Sequence, residues 1–268
     1  MIGVVQLRLK NVWRRLTVTR RLLPSFFILG AQKGGTTSLF YYLGQHPEIS
    51  LPKTKEIHYF SKYFNLSTNW YRSFFPFKRK AMISGESTPY YFFHPKAPIH
   101  LAQKIKNPRF VVMLRNPVDR AYSHYQMEVA LGHENLPTFS EAIAAETERL
   151  KGEEDAIKAG RYNFSKSHAH YSYLSRGHYA DIITQWFQHF KKDQFLFVKS
   201  EDFFAAPQQE LNRVCKFLEI SQFTPIDLQP QFTQNYPEMN PEFRKKLEVY
   251  FEEKNNNLTN LVGEQFIW

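Results

Sequence analysis

Cys215 is the only cysteine in 268 residues, so no intrachain disulfide can form and no thiolate metal cluster can assemble. That scarcity suits a reducing, cytoplasmic setting. No apolar run is long enough to span a bilayer. Residues 1–23 also lack the uninterrupted core of a signal sequence, because charges break every apolar stretch. Acidic residues are missing from that segment, which carries Arg8, Lys10, Arg14, Arg15, Arg20 and Arg21. Residues 1–24 are therefore read as a basic extension. An amphipathic helix resting on an anionic membrane is one reading; a loose extension or a helix packed on the domain is the other, of equal standing. Internal repeats and low-complexity segments are absent as well, which excludes a solenoid or a disordered tail.

What is present fits one α/β domain over residues 25–268. Hydrophobic residues make up 43% and aromatics 16%, enough to bury a sizeable core. The net charge of +10 calls for anionic partners: a nucleotide, an acidic polysaccharide, a membrane surface or nucleic acid.

The most informative stretch is Phe26-Phe27-Ile28-Leu29-Gly30-Ala31-Gln32-Lys33-Gly34-Gly35-Thr36-Thr37-Ser38-Leu39. Four apolar residues predict a fully buried strand, a glycine-rich turn holds one lysine, and a hydroxyl run can open a helix. Such a strand–loop–helix lets backbone N–H groups approach phosphate oxygens at a helix N-terminus. Gly30 and Gly35 have the spacing of the nucleotide-triphosphatase loop, but the residue after Gly35 is Thr36 and the lysine lies earlier, at Lys33. The loop is read as a phosphate site for a nucleotide that is not held through the usual Lys-Ser/Thr pair and its Mg²⁺; a tight strand–helix turn is the bland alternative.

Further along, Lys53-Thr54-Lys55-Glu56-Ile57-His58 sets a carboxylate among two lysines and an imidazole, the groups of a general-base site or of a solvated charged loop. Arg109–Leu114 predicts a second buried strand. It leads into Arg115-Asn116-Pro117 and a helix from Val118 to about Leu131, so that Arg115 and Ser123 can converge on one anion; a structural arginine is the alternative. Residues 133–170 are polar and read as an excursion of helix and mobile loop over the open end of the sheet. There, His168-Ala169-His170 has the spacing of a metal pair, but with no third ligand in view a solvated loop is expected. Tyr179, Ile182, Ile183, Trp186, Phe187 and Phe190 recur at helical spacing, Phe195–Val198 predicts a third strand, and amphipathic helices follow at 208–219 and 244–255. Strands alternating with helices predict a doubly wound, mostly parallel, P-loop-like sheet flanked by helices, in one domain.

Lys33-Gly34-Gly35-Thr36-Thr37-Ser38 resembles the 5′-phosphosulfate loop of sulfotransferases, and Arg115 followed eight positions later by Ser123 resembles their 3′-phosphate motif. Lys55–Phe60, Trp70-Tyr71, Glu86-Ser87-Thr88-Pro89-Tyr90 and Gly177-His178-Tyr179-Ala180 follow in the order of the carbohydrate branch typified by heparan sulfate sulfotransferases. The resemblance covers about residues 25–256. It implies sulfuryl transfer from 3′-phosphoadenosine-5′-phosphosulfate (PAPS) to a hydroxyl or amine of a saccharide or other small acceptor, with 3′-phosphoadenosine-5′-phosphate (PAP) as product, and neither a metal nor a nucleic-acid partner is called for. It also implies the roles: Glu56 as base, Lys33 on the leaving phosphate, His58 beside the acceptor, Lys33 to Ser38 around the 5′-phosphosulfate, and Arg115 and Ser123 on the 3′-phosphate. Two departures stand out. Ser87 occupies a place where the family often has lysine, and Phe232–Met239 has neither a cysteine pair nor a basic residue before its tyrosine. A metal-dependent triphosphatase or kinase, and a non-catalytic basic module binding acidic polymers, are the readings from other classes.

Overall fold

Strands β1 (Phe26–Gly30), β2 (Gly85–Ser87), β3 (Arg109–Leu114) and β4 (Phe195–Lys199) form one parallel sheet in the order β2-β1-β3-β4. The computed structural model describes residues 17–79, 82–231 and 236–268. Phe27 lies opposite Glu86 and Phe110, while Val112 lies opposite Phe197. A parallel sheet needs cover on both faces, which is why its strands read as continuous apolar runs. The winding reverses at β1, with β2 on one side and β3 on the other. A crevice therefore opens at the carboxyl ends of β1 and β3, where open α/β sheets bind ligands.

The helices in chain order are α1 (Thr36–Leu43), α2 (Thr68–Arg72), α3 (Tyr90–Phe93), α4 (Ala97–Lys104), α5 (Pro117–Ala130) and α6 (Phe139–Leu150). They continue as α7 (Glu153–Lys158), α8 (Lys166–His170), α9 (Tyr179–Phe187), α10 (Ser200–Ala205), α11 (Pro207–Leu218) and α12 (Pro241–Val262). Alternation along the strands splits the core in two. Phe27, Leu29, Phe110 and Val112 pack with Tyr91 of α3 and Trp186 of α9 on one face. Phe26, Ile28, Val111 and Met113 pack with Leu39 of α1 and Phe203 of α10 on the other. A third cluster, with Val118, Tyr125, Phe139, Tyr173 and Phe251, fastens α5 to α6 and α12.

Three stretches take their form from specific contacts. β2 begins only at Gly85, because Ile83 makes only an isolated bridge to Ile49; a Cβ on Gly85 would come within 2.2 Å of the Phe26 ring. Residues 133–170 contain the expected helix, as α6, α7 and α8, and buried carboxylates fix the stretch in place. Buried Glu146 accepts from Leu174 N, Ser175 N and Ser175 Oγ, and buried Glu134 accepts from Arg149 and Tyr173. Residues 17–24 join the packed body. Leu22 N donates to the Pro76 carbonyl, and buried Arg21 donates to the Phe75 carbonyl at 2.7 Å while lying over the Phe77 ring. Arg8, Lys10, Arg14 and Arg15 of the basic extension lie outside the described residues. No helix of the described residues is long and apolar enough to cross a membrane.

Candidate active site

The turn after β1 is shaped by close approach. A Cβ on Gly30 would meet Thr36 Cγ2 at 2.1 Å, and Gly35 has φ +90° with the Phe204 ring against it. Ala31 N donates to the Met113 carbonyl at 2.7 Å and Gly34 N to the Ala31 carbonyl at 2.9 Å, so the loop is laced to β3. Ser200 Oγ, at the start of α10, is within hydrogen-bond distance of both the Gly34 and Leu114 carbonyls. α1 starts at Thr36 with Gly35 as N-cap and no capping side chain. Its first-turn amides therefore keep their capacity to bind an anion.

Lys33 sits in this loop with φ +74°. Arg115, at the carboxyl end of β3, donates from Nη1 to the Lys33 carbonyl at 3.2 Å, bringing the two motifs together across the crevice. Burial, and then the Arg115 charge, hold the Lys33 ammonium below its ordinary value. Two cations arranged this way favour an anion between them. Tyr179 on α9 fixes Arg115 by donating to its carbonyl at 2.8 Å. Ser123 is buried in the second turn of α5, the helix that follows Arg115, so both stand at the same end of β3.

The Lys53–His58 stretch is joined to the loop directly. Lys55 Nζ donates to Thr37 Oγ1 at 2.8 Å and lies 3.4 Å from Glu56 Oε1. Glu56 Oε2 is 3.6 Å from His58 Nε2. The Glu56 amide donates to the Ser87 carbonyl at 3.0 Å, pinning the carboxylate beside the end of β2. Burial pushes the Glu56 carboxyl up, but the neighbouring His58 and Lys55 outweigh it and hold it below the ordinary value. Its side chain keeps 46% of its surface, and it lines a cavity of about 610 Å³ with Thr37, Tyr41, Lys55 and Gln231. Glu56 and His58 have φ +59° and +57°. Backbone held in this region costs roughly 1–3 kcal/mol per residue and concentrates at functional sites.

Other residues organise the site through contacts with distant segments. Glu86 is buried and accepts hydrogen bonds from Tyr71, Thr88 and Tyr91; burial raises its carboxyl. Its motif is thus a structural hub under the Glu56 segment. The adjacent Ser87 Oγ is buried without a hydrogen-bond partner. Arg176 is buried, donates to Gln32 beside Lys33, and lies about 5 Å over the Tyr90 and Phe93 rings; burial lowers it to about 10.

The expectation of a solvated loop at His168-Ala169-His170 is overturned. His168 is buried in α8, stacked on Phe93 and bonded to the Tyr90 hydroxyl at 2.9 Å, and His170 meets Glu128 and His133. Ser38 Oγ accepts from Gln231 N at 2.9 Å, so residue 231 abuts the phosphate loop; residues 232–235 of the proposed nucleotide-facing stretch lie outside the described residues.

A sulfotransferase domain model matches residues 23–236, well over half of the chain. The chain belongs to the sulfotransferase family. A sulfotransferase from Alicyclobacillus acidocaldarius has a similar crystal structure, with a TM-score of 0.76 and 29% identity over 91% of this chain and 98% of that one. The membrane-associated sulfotransferase kil1 of Dictyostelium discoideum is 25% identical, covering 92% of this chain and 66% of that protein. Mouse heparan sulfate glucosamine 3-O-sulfotransferase 3B1 is 32% identical, over 73% of this chain and 46% of that protein. A bifunctional heparan sulfate N-deacetylase/N-sulfotransferase of Caenorhabditis elegans is 28% identical, over 91% of this chain and 30% of that protein. The chain thus spans less than two thirds of the length of the Dictyostelium, mouse and Caenorhabditis relatives. The sulfotransferase resemblance and the parallel α/β sheet are both borne out.

Proposed function

We propose that this sulfotransferase moves the sulfuryl group of PAPS onto a hydroxyl or amine of a saccharide acceptor. The observation that carries the reading is backbone geometry. Of the five non-glycine residues with positive φ among those described, three are Lys33, Glu56 and His58, and the Lys55–Thr37 hydrogen bond ties their two segments together. A fold keeps such conformations where side chains must be aimed.

In this reading PAPS supplies an activated sulfur with the 5′-phosphate as leaving group. Glu56 takes the proton from the acceptor as the acceptor atom bonds to sulfur. The bridging S–O bond breaks, its electron pair stays on the 5′-phosphate, and Lys33 with the α1 amides stabilises that charge. His58, 3.6 Å from Glu56, orients the carboxylate and the acceptor. Arg115 and Ser123 hold the 3′-phosphate, which distinguishes the donor from ATP. Thr36 to Ser38 frame the 5′ end, with Thr37 accepting from Lys55 and Ser38 accepting from Gln231. A saccharide acceptor is supported by the activities in the names of the 3-O- and N-sulfotransferase relatives and by the open cavity beside Glu56. Family membership favours this reading over a triphosphatase, a kinase or a non-catalytic basic module. A peripheral membrane contact through the basic extension is supported by its charge and by the membrane-associated relative.

Calorimetry with PAP and with its analogue lacking the 3′-phosphate tests the donor assignment. Arg115→Ala and Ser123→Ala should weaken PAP by roughly 1.5–3 kcal/mol and leave the analogue unchanged. Equal weakening of both ligands would remove these residues from the 3′-phosphate.

A further inference from the structure

Three imidazoles converge on one carboxylate in the last turn of α5. Glu128 is 1% exposed. Its Oε2 lies 2.8 Å from His133 Nδ1 and 2.9 Å from His170 Nδ1, and all three atoms fall within 4.8 Å of one another. Its Oε1 is 3.2 Å from Nε2 of His124, a fully buried ring with neither nitrogen in a well-aligned hydrogen bond. The backbone builds this meeting. Gly132, at φ +73°, turns the chain so that His133 N donates back to the Glu128 carbonyl at 2.9 Å. Tyr171, next to His170, donates its hydroxyl to the His133 carbonyl at 3.0 Å.

We propose that Glu128, His133 and His170 bind a divalent transition-metal ion of the zinc class. Two neutral imidazoles and one carboxylate are a borderline donor set that suits Zn²⁺ or Co²⁺ and suits Ca²⁺ or Mg²⁺ poorly. Around a tetrahedral Zn²⁺ such donors stand about 3.3 Å apart, so each ring has to withdraw by only about half an ångström. The His133 and His170 side chains keep 44% and 26% of their surface, which leaves a path for the ion and room for water as a fourth ligand. His124 then serves as the outer partner that orients Glu128 through its second oxygen. The ion joins α5, which carries Ser123, to α8, which leads to Arg176 and its contact with Gln32. Its role is to brace the α6–α8 segment onto the domain.

The full chain, stripped with EDTA and titrated with ZnCl₂ against a chromogenic chelator, should take up one ion per chain and melt at a higher temperature with zinc than without. Co²⁺ should give the intense visible absorption of a four-coordinate nitrogen and oxygen site. His133→Ala and His170→Ala should each lose more than the ~10–100-fold that removal of an outer partner costs. His189→Ala, which removes an exposed histidine elsewhere, should bind as the unmodified chain does. Circular dichroism in EDTA establishes that the variants fold. The proposal is overturned by absence of uptake in the unmodified chain at millimolar zinc, by a thiolate charge-transfer band with Co²⁺, or by equal uptake in the folded His133 and His170 variants.

Discussion

Lys33 carries two demands that pull in opposite directions. In the proposed reaction its ammonium must stay charged to stabilise a leaving phosphate, yet burial and Arg115 both favour the neutral amine. A bound anion relieves that conflict, so the donor's own charge restores Lys33 to the state that its role needs. Lys33→Ala should lower turnover on the order of a hundredfold, the usual cost of losing one such charge stabiliser. The alkaline limb of kcat/KM reports groups of the free enzyme, and in the unmodified chain it should set in below the ordinary lysine value of 10.5. Turnover within a few-fold of the unmodified enzyme would place the stabilising charge elsewhere. Lys33 could be found in the sequence because its loop is contiguous. Arg176 could not, because its contact with Gln32 joins segments far apart in the chain.

At the scale of elements, the sheet was legible and its supports were not. Phe26–Leu29, Arg109–Leu114 and Phe195–Val198 read as strands because a parallel strand buried on both faces leaves no polar alternation. The Glu86 hub stayed hidden since its partners Tyr71 and Tyr91 come from α2 and α3, brought together only in the fold. The His170 cluster stayed hidden for the same reason. The turn from α3 to α4 offers a test of how tightly such long-range contacts hold. His94 is buried; its Nε2–H donates to the Asn163 carbonyl at 2.9 Å and its Nδ1 accepts from Lys96 N at 3.3 Å, which fixes the neutral ring. Burial lowers it to about 4, below the ordinary 6.5. The folded-state value is depressed, so the unfolded chain takes up the proton first and stability is lost as pH falls below about 6.5. This one residue should cost about 2 kcal/mol by about pH 5. Urea unfolding of the unmodified chain and His94→Gln at about pH 7 and about pH 5 should show that difference in pH dependence; parallel losses in the two would contradict it.

For the whole molecule, a net charge of +10 and a crevice walled by Lys33, Arg115 and the α1 amides fit an enzyme whose donor is polyanionic. The acceptor side was less legible. Glu56 and His58 lie in a charged stretch that composition alone cannot tell from a solvated loop. Their meaning emerges when Lys55 is seen bonded to Thr37 and the Glu56 amide to Ser87. The most direct measurement combines radiolabelled PAPS, a panel of saccharide acceptors and the Glu56→Gln variant, with PAP affinity recorded in parallel. The unmodified chain should label an acceptor and release PAP. Glu56→Gln should lose roughly 10²–10⁴-fold in transfer while binding PAP unchanged, since the proposed nucleotide contacts belong to Lys33–Ser38, Arg115 and Ser123. Normal transfer by Glu56→Gln on an acceptor that the unmodified chain sulfates would contradict the account.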